Sequence, residues 1–192
     1  MIKKRQKLPT TYAFIDSQNL NLGTQRVGWK LDWRKFRKYL RDRYGVTKAY
    51  MFIGYMIENE QLYEYMHELG YLVVLKPTVD MNIPKDATKD EIVPEDTEKE
   101  KPSVKGNVDA ELVLYAMKEI NNYEKAIIVS GDGDFFSLAE YLSERGKLAH
   151  IMAPNWQYSS LLKHFEPKII RLDQLRRQLS YHDRKRKADQ KE

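Results

Sequence analysis

Short apolar segments alternate with amphipathic stretches along most of this 192-residue chain. The apolar segments are too short for helices and predict buried strands, whereas the stretches between them place apolar side chains at helical spacing. Strands are predicted at residues 12–15, 46–55, 71–75, 126–129, 148–152 and 168–172, the last being the weakest. Because strands that alternate with helices form parallel sheets with right-handed crossovers, we predict an α/β fold with helices on both faces of a central sheet of five or six strands.

The predicted helices carry start and stop signals. Asp32 is a suitable N-cap for a helix that ends at Gly45 and has Phe36 and Leu40 on one face. Apolar spacing predicts a helix before Gly70, whose apolar face carries Leu62, Tyr65, Met66 and Leu69. The same spacing predicts a helix from about residue 108 to 120, one before Gly146 and a short one over 159–165.

One segment interrupts the alternation. Residues 76–106 contain Pro77, Pro84, Pro94, Pro102 and many charges, with few large apolar side chains. So long a loop within a compact domain is usually functional or disordered, and for the acidic part at 86–100 a solvated insertion is favoured. We therefore predict one domain over residues 8–175, an insertion at about 77–105 and a basic C-terminal tail over 176–192.

The charge balance favours an anionic partner. The net charge is +5 and the pI about 9.1, which fits nucleic acid, although the basic clusters at the two ends can equally be solvated tails. Cysteine is absent, which excludes disulfides, thiolate zinc sites and a cysteine nucleophile. No apolar run approaches the roughly 20 residues that span a membrane, so we expect a cytoplasmic protein without membrane contact. The oligomeric state is open, and a homodimer is one of the states kept in view.

Four aspartates are predicted at one edge of the sheet. Asp16 ends the first strand, Asp132 and Asp134 follow the fourth, and Asp109 opens the helix before the fourth. Ligands of doubly wound sheets bind at the carboxyl ends of the strands. If the strand order is about 3-2-1-4-5, the first and fourth strands are neighbours and all four carboxylates face one crevice.

Carboxylates that converge in this way favour a cation. Two of them about 4 Å apart repel by roughly 4 kcal/mol at an effective dielectric near 20. Mg²⁺ or Mn²⁺ would offset the repulsion, since both prefer carboxylate and water oxygens. Such an ion lowers the pKa of bound water and polarises phosphoryl oxygens, which suits hydrolysis of phosphodiesters without a covalent nucleophile.

Each of these residues also has a purely structural interpretation. Asp16 can be a turn residue, Asp109 an N-cap, and Asn19 the centre of an Asx turn. The SGDGD segment can be a tight turn in which Asp134 caps the next helix, with Ser130 satisfying a backbone group. The functional interpretation is favoured because several carboxylates are predicted at the same edge.

Three segments in this order resemble the NYN domain, in its LabA-like branch, within the PIN-like nuclease superfamily. They are YAFIDSQNL at 12–20, KGNVDAELVLYAM at 105–117 and IIVSGDGDFFSLAEYL at 127–142. The resemblance covers roughly residues 11–172 and implies a PIN-like three-layer fold and a metal-dependent ribonuclease. The departures are Asn107, which lengthens the usual spacing after Lys105 and Gly106, and Ser17-Gln18, where the family often has glycine.

The resemblance also implies roles for individual residues. Asp16, Asp109, Asp132 and Asp134 would form the catalytic metal site, and Asn19 would position the scissile phosphate or a metal-bound water. The resemblance further assigns Lys105 and Ser130 to the site, where Lys105 would neutralise the carboxylates or contact phosphate.

Side chains outside the three motifs suggest contacts with single-stranded RNA. Arg26 and Lys30, around Trp29, can bind a strand by charge and stacking, although a core position is favoured for Trp29 and Trp33. Trp156 and Tyr158 follow the fifth strand, where stacking on a base is a further hypothesis.

Three other functions compete with the ribonuclease hypothesis. The first is a noncatalytic module that keeps the fold and binds RNA or protein. The second is a phosphatase with an Asp-x-Asp pair after the first strand, which Gln18 disfavours. The third is a dinucleotide-binding domain, whose Gly-x-Gly-x-x-Gly turn is missing after the first strand.

Overall fold

The structure is a computed structural model that describes residues 9–54, 59–76 and 108–182. Its centre is a six-stranded sheet in the order β3-β2-β1-β4-β5-β6, and every neighbouring pair is parallel. The strands are β1 (Thr11–Asp16), β2 (Val46–Gly54), β3 (Leu72–Lys76), β4 (Lys125–Val129), β5 (Leu148–Ala153) and β6 (Ile169–Arg171). The predicted α/β class and strand order are confirmed, with the weakest predicted strand forming one edge.

Helices follow most strands, as the alternation predicts. They are α1 (Ser17–Arg26), α2 (Trp33–Tyr44), α3 (Glu60–Glu68), α4 (Asp109–Lys118), α5 (Phe136–Glu144) and α6 (Arg176–Leu179). Three 3-10 segments complete the described chain: Gly133–Phe135, Ser160–Lys168 and Leu172–Leu175. No helix in the described part of the chain is long and apolar enough to cross a membrane.

Two hydrophobic cores lie on opposite faces of the sheet. Successive side chains of a strand point to opposite faces, so β1 contributes Phe14 to one core and Ile15 to the other. Helices α4 and α5 pack on the Phe14 face, and α1, α2, α3 and α6 contribute side chains to the Ile15 face. β1 is therefore buried on both sides, as expected for the central strand of a three-layer fold.

Capping residues set the ends of α2 as predicted. Asp32 accepts a hydrogen bond from the Lys35 backbone N–H at 3.0 Å and thereby begins the helix. Gly45 ends it in the left-handed conformation, with φ of 64°, which only glycine adopts without strain.

Helix α1 was not predicted. Its sequence, SQNLNLGTQR, contains two asparagines and a glycine, all poor helix formers. It is stabilised by its cap, Asp16, and by burial of Leu20 and Thr24 on the Ile15 side of the sheet. Tertiary packing therefore overrides a weak local preference.

Two further details differ from the predictions. α3 buries Tyr63 and Met66, whereas Leu62 and Tyr65, predicted for its apolar face, are 42% and 39% exposed. The predicted tail from residue 176 begins as α6 with Leu179 fully buried, because this segment closes over the Ile15 core. Arg176 and Arg177 of the C-terminal basic cluster lie in α6. The rest of that cluster, the N-terminal cluster and the predicted insertion at 77–105 lie outside the described residues.

Candidate active site

Asp16 is the last residue of β1 and the N-cap of α1. Its side chain is 5% exposed. One carboxylate oxygen, Oδ1, accepts a hydrogen bond from the Asn19 backbone N–H at 3.0 Å, which satisfies a donor at the start of the helix. The structural interpretation of Asp16 as a cap is compatible with the functional one, since the cap holds the carboxylate at the carboxyl edge of the sheet.

Asn19 joins the β1–α1 junction to the segment after β4. Its Oδ1 accepts a hydrogen bond from the Gly131 backbone N–H at 2.9 Å, across 112 positions of sequence. This long-range bond replaces the predicted alternative of a local Asx turn. It fixes the SGDGD segment beside the start of α1.

Ser130 bridges the two acidic segments. Its hydroxyl donates to Asp16 Oδ2 at 3.2 Å, and its oxygen accepts the Asp132 backbone N–H at 3.1 Å. Ser130 is 1% exposed, so the connection is shielded from water. Because one side chain contacts both Asp16 and the backbone of Asp132, the structure brings these two predicted site residues together.

The electrostatics of Asp16 reflect this proximity. Burial raises the pKa of the Asp16 carboxyl above its ordinary value of 3.8. The hydrogen bonds from Asn19 and Ser130 lower that pKa, and the negative charge of Asp132 raises it again, so that the net direction is upward. A positive charge near the two carboxylates would lower the pKa of Asp16 and so offset both raising effects, because it stabilises the ionised form.

Asp134 is placed differently from Asp132. Asp132 Oδ1 accepts the Asp134 backbone N–H at 3.0 Å, so Asp132, and not Asp134, caps the 3-10 turn Gly133–Phe135. The Asp134 side chain is exposed.

Asp109 opens α4 as predicted, but the N-cap is Val108. α4 packs against β1 and against the 3-10 turn Gly133–Phe135 that Asp132 caps. Within residues 9–54, 59–76 and 108–182, no three histidine, aspartate or glutamate side chains are arranged to hold a metal ion together. The four-aspartate site inferred from sequence thus stays a prediction, with Asp16 and Asp132 as its connected part.

The Asp16–Asp132 pair nevertheless fits the donor chemistry of a hydrated divalent cation. A carboxylate offers about four lone-pair positions. Hydrogen bonds occupy three on Asp16, from Asn19, Ser130 and Gln18, and one on Asp132. Since Mg²⁺ is commonly held by one or two carboxylates and keeps several waters, two carboxylates with free accepting positions suffice.

The predicted RNA-contacting residues separate into two groups. Arg26 lines a cleft of about 140 Å³ whose wall also includes Asn19 and Gly131. Lys30 instead lies over the ring of Tyr181, with its Nζ 5.3 Å from the ring centroid. Lys105 and Gly106 lie outside the described residues.

The tryptophans also separate. Trp29 is 6% exposed in the core and Trp33 packs beside it, as favoured from sequence. Trp156 is 54% exposed, with the Arg171 guanidinium 5.8 Å from its ring centroid.

Sequence reasoning missed five residues of the cleft: Leu22, Gly23, Pro154, Asn155 and Gln157. Leu22 lies in the helix that was not predicted. Asn155 and Gln157 follow β5, and their place after a strand at the carboxyl edge was the available signal.

The fold and the linked aspartates define the class of protein, an α/β domain of the PIN-like type. Comparison with known families agrees, since the NYN domain family matches residues 10–173. The chain therefore belongs to the NYN domain family, within the PIN-like nuclease superfamily.

One known protein is similar to this chain in sequence, and another is similar in fold. The chain is 26% identical over 142 residues to the low amplitude and bright protein LabA of Synechococcus elongatus, covering 72% of this chain and 69% of LabA. A crystal structure of a protein of unknown function from Vibrio parahaemolyticus superposes with a TM-score of 0.66 at 19% identity, over 88% of this chain and 97% of the other. The second likeness concerns the fold alone.

Proposed function

We propose that this protein is a Mg²⁺- or Mn²⁺-dependent ribonuclease that hydrolyses phosphodiester bonds of single-stranded RNA at the Asp16–Asp132 pair. The observation that carries the proposal is the Ser130 bridge, which holds two acidic segments together against their repulsion. An arrangement that raises the pKa of a carboxyl is common where that group serves chemistry or binds a cation. Membership of a family within a nuclease superfamily supports the same activity.

Each residue has a defined part in the proposed reaction. Asp16 and Asp132 would hold the cation, which lowers the pKa of coordinated water and stabilises charge on phosphoryl oxygens when bound. The Ser130 hydroxyl and the Asn19 backbone N–H orient the Asp16 carboxylate, and the Asn19 side chain holds the SGDGD segment beside it. Asp109 and Asp134 are proposed as further acidic residues of the site. Lys105 is proposed to contact phosphate. The positive net charge favours the approach of a polyanion.

Replacing Asp132 with Asn tests the proposal. Asn is as good a cap as Asp, so the fold should be kept, whereas loss of a metal-binding charge should reduce cleavage of a single-stranded RNA oligonucleotide by about a hundredfold or more. Cleavage is measured with Mn²⁺, with Mg²⁺ and with a chelator, and a DNA oligonucleotide of the same sequence reports the choice of substrate.

Asp42→Asn is the matched control, because Asp42 lies on the surface of α2, paired with Lys38 and Arg41. It should cleave as the wild type does. Cleavage by Asp132→Asn at the wild-type rate, or equal cleavage with chelator present, would contradict the proposal. Binding of RNA without cleavage by the wild type would support the noncatalytic module instead.

A further inference from the structure

The cleft beside Asn19 has the position and chemistry of a nucleotide-binding subsite. We propose that it holds the base of the nucleotide adjacent to the scissile phosphate, and so selects where single-stranded RNA is cut. This inference rests on the proposed ribonuclease function and adds to it a binding site for one base.

The cleft and the carboxylate pair have a residue in common. Asn19 contributes to both places, because its backbone N–H binds Asp16 Oδ1 while its side chain binds Gly131 and lines the cleft. The cleft therefore shares Asn19 and the SGDGD segment with the carboxylate pair. A strand with its phosphate at the aspartates would have the neighbouring nucleotide at the cleft.

The residues that line the cleft suit a nucleotide. One wall is α1, where Asn19, Leu22 and Arg26 lie along one helical face, and the other wall is formed by Gln157 and Tyr158. Leucine and tyrosine side chains offer apolar and aromatic surface for a base, and an amide can hydrogen-bond to its edge. Arg26 is the one charged residue among those lining the cleft, which suits a phosphate and disfavours a cationic ligand.

The volume of the cleft suits a single base. A cavity of about 140 Å³ is well below the 300–1,000 Å³ of sites for drug-sized molecules. It suits one small planar group, such as a single base, with the rest of the strand lying outside.

Hydrogen bonds hold the walls of the cleft in place. Asn155 is 3% exposed, and its amide donates to the Gly23 carbonyl of α1 at 2.7 Å while its Oδ1 accepts the Gln157 backbone N–H at 2.6 Å. The Ser159 backbone N–H donates to the Gly131 carbonyl at 2.9 Å. The loop after β5 is thus tied to both α1 and the SGDGD segment, so the cleft is preformed. Asn155 acts here as a positioning residue.

The test uses a set of RNA oligonucleotides, each with one abasic ribose at a different position. Wild-type protein with Mn²⁺ should cut the phosphodiester beside the abasic position about 5- to 100-fold more slowly than in the intact strand, since stacking of one base contributes roughly 1–3 kcal/mol. Cleavage at other positions of the same strand should be unchanged, which provides an internal reference.

Variants assign the effect to the cleft. Gln157→Ala should alter the base preference beside the cut, and Arg26→Ala should raise KM for all sequences. The matched controls are Gln25→Ala and Arg34→Ala, both exposed and outside the cleft, which should cut as the wild type does. Equal cutting of every abasic strand, or an unchanged base preference in Gln157→Ala, would overturn the inference while leaving the ribonuclease proposal intact.

Binding in chelator separates the two proposals. Fluorescence anisotropy with labelled intact and abasic oligonucleotides reports the cleft without turnover. If the wild type fails to cut RNA but binds abasic strands more weakly, and Gln157→Ala narrows that difference, the base site stands and the nuclease proposal fails. If abasic and intact strands bind equally and no cutting occurs, both fail.

Discussion

At the scale of single residues, Asp16 combines two requirements that oppose each other. Its oxygens satisfy a backbone donor of α1 and the Ser130 hydroxyl, which favours a carboxylate. Its burial and the nearby charge of Asp132 disfavour the ionised form. These two effects outweigh the hydrogen bonds, so the pKa of Asp16 is raised. A residue selected for stability alone would avoid this conflict, and an amide at position 16 would keep the cap without the charge.

Replacing Asp16 with Asn should therefore stabilise the metal-free protein at neutral pH. Because the folded-state pKa of Asp16 is raised above 3.8, the folded state binds more protons than the unfolded state between 3.8 and that raised value. The free energy of unfolding of the wild type accordingly falls as the pH rises through this interval. In chelator, Asp16→Asn should have a melting temperature a few degrees above the wild type at pH 7.5, and the difference should vanish below pH about 3.8.

Asp42→Asn is the opposite case and serves as the control. Hydrogen bonds from Lys38 and Arg41 lower the pKa of the Asp42 carboxyl, so removing its charge should not stabilise the protein at neutral pH. Melting curves followed by circular dichroism across the pH range compare the two variants. An Asp16→Asn variant less stable than the wild type at pH 7.5 would show that the carboxylate contributes more as an acceptor than its burial costs.

The residues at strand ends were predictable, and those tied by tertiary bonds were not. Asp16, Ser130 and Asp132 follow from the rule that ligands gather at the carboxyl ends of parallel strands. Asn155 could not be assigned its role, because its partner is the Gly23 carbonyl, 132 positions away in a helix with weak propensity. Local patterns carry no information about such a bond.

At the scale of elements, the junction between α1 and the loop after β5 shapes the cleft. Gly23 permits the approach, since a Cβ at this position would lie 2.6 Å from the Cβ of Pro154, closer than side chains pack. The same glycine lowers the helix propensity that a prediction from sequence depends on. Gly23 thus allows the two walls to approach each other and is also a reason why α1 was not predicted.

Replacing Gly23 with Ala should separate the two walls. Alanine favours a helix by about 1 kcal/mol over glycine, but overpacking commonly costs about 1–3 kcal/mol, so we expect a net loss of up to about 2 kcal/mol. Base preference at the cut should weaken with it. Urea unfolding measures the loss, and Gln25→Ala on the exposed side of α1 should stay within about 0.5 kcal/mol of the wild type. A more stable Gly23→Ala protein would contradict the close packing at this junction.

At the scale of the whole molecule, the parallel sheet assembles the site from distant segments. β1 and β4 are neighbours, so Asp16 and Ser130, 114 positions apart, are within hydrogen-bonding distance. The alternation of strands and helices was enough to predict that neighbourhood, because right-handed crossovers allow few strand orders. The alternation could not predict how far apart the aspartate side chains lie, because their positions depend on side-chain hydrogen bonds at the sheet edge.

Cation binding should therefore stabilise the whole domain. A ligand that binds only the folded state adds about 2.7 kcal/mol at a hundred times its Kd, which for a domain of this size raises the melting temperature by roughly 5–10 °C. Wild-type protein should show this rise with Mn²⁺ at neutral pH, and the rise should shrink at acidic pH as the Asp16 carboxyl, whose pKa is raised, is protonated. Asp132→Asn should lose it, whereas Asp42→Asn should keep it. Since melting is measured without RNA, an equal rise in all three proteins would place the cation elsewhere, whatever the nuclease assay shows.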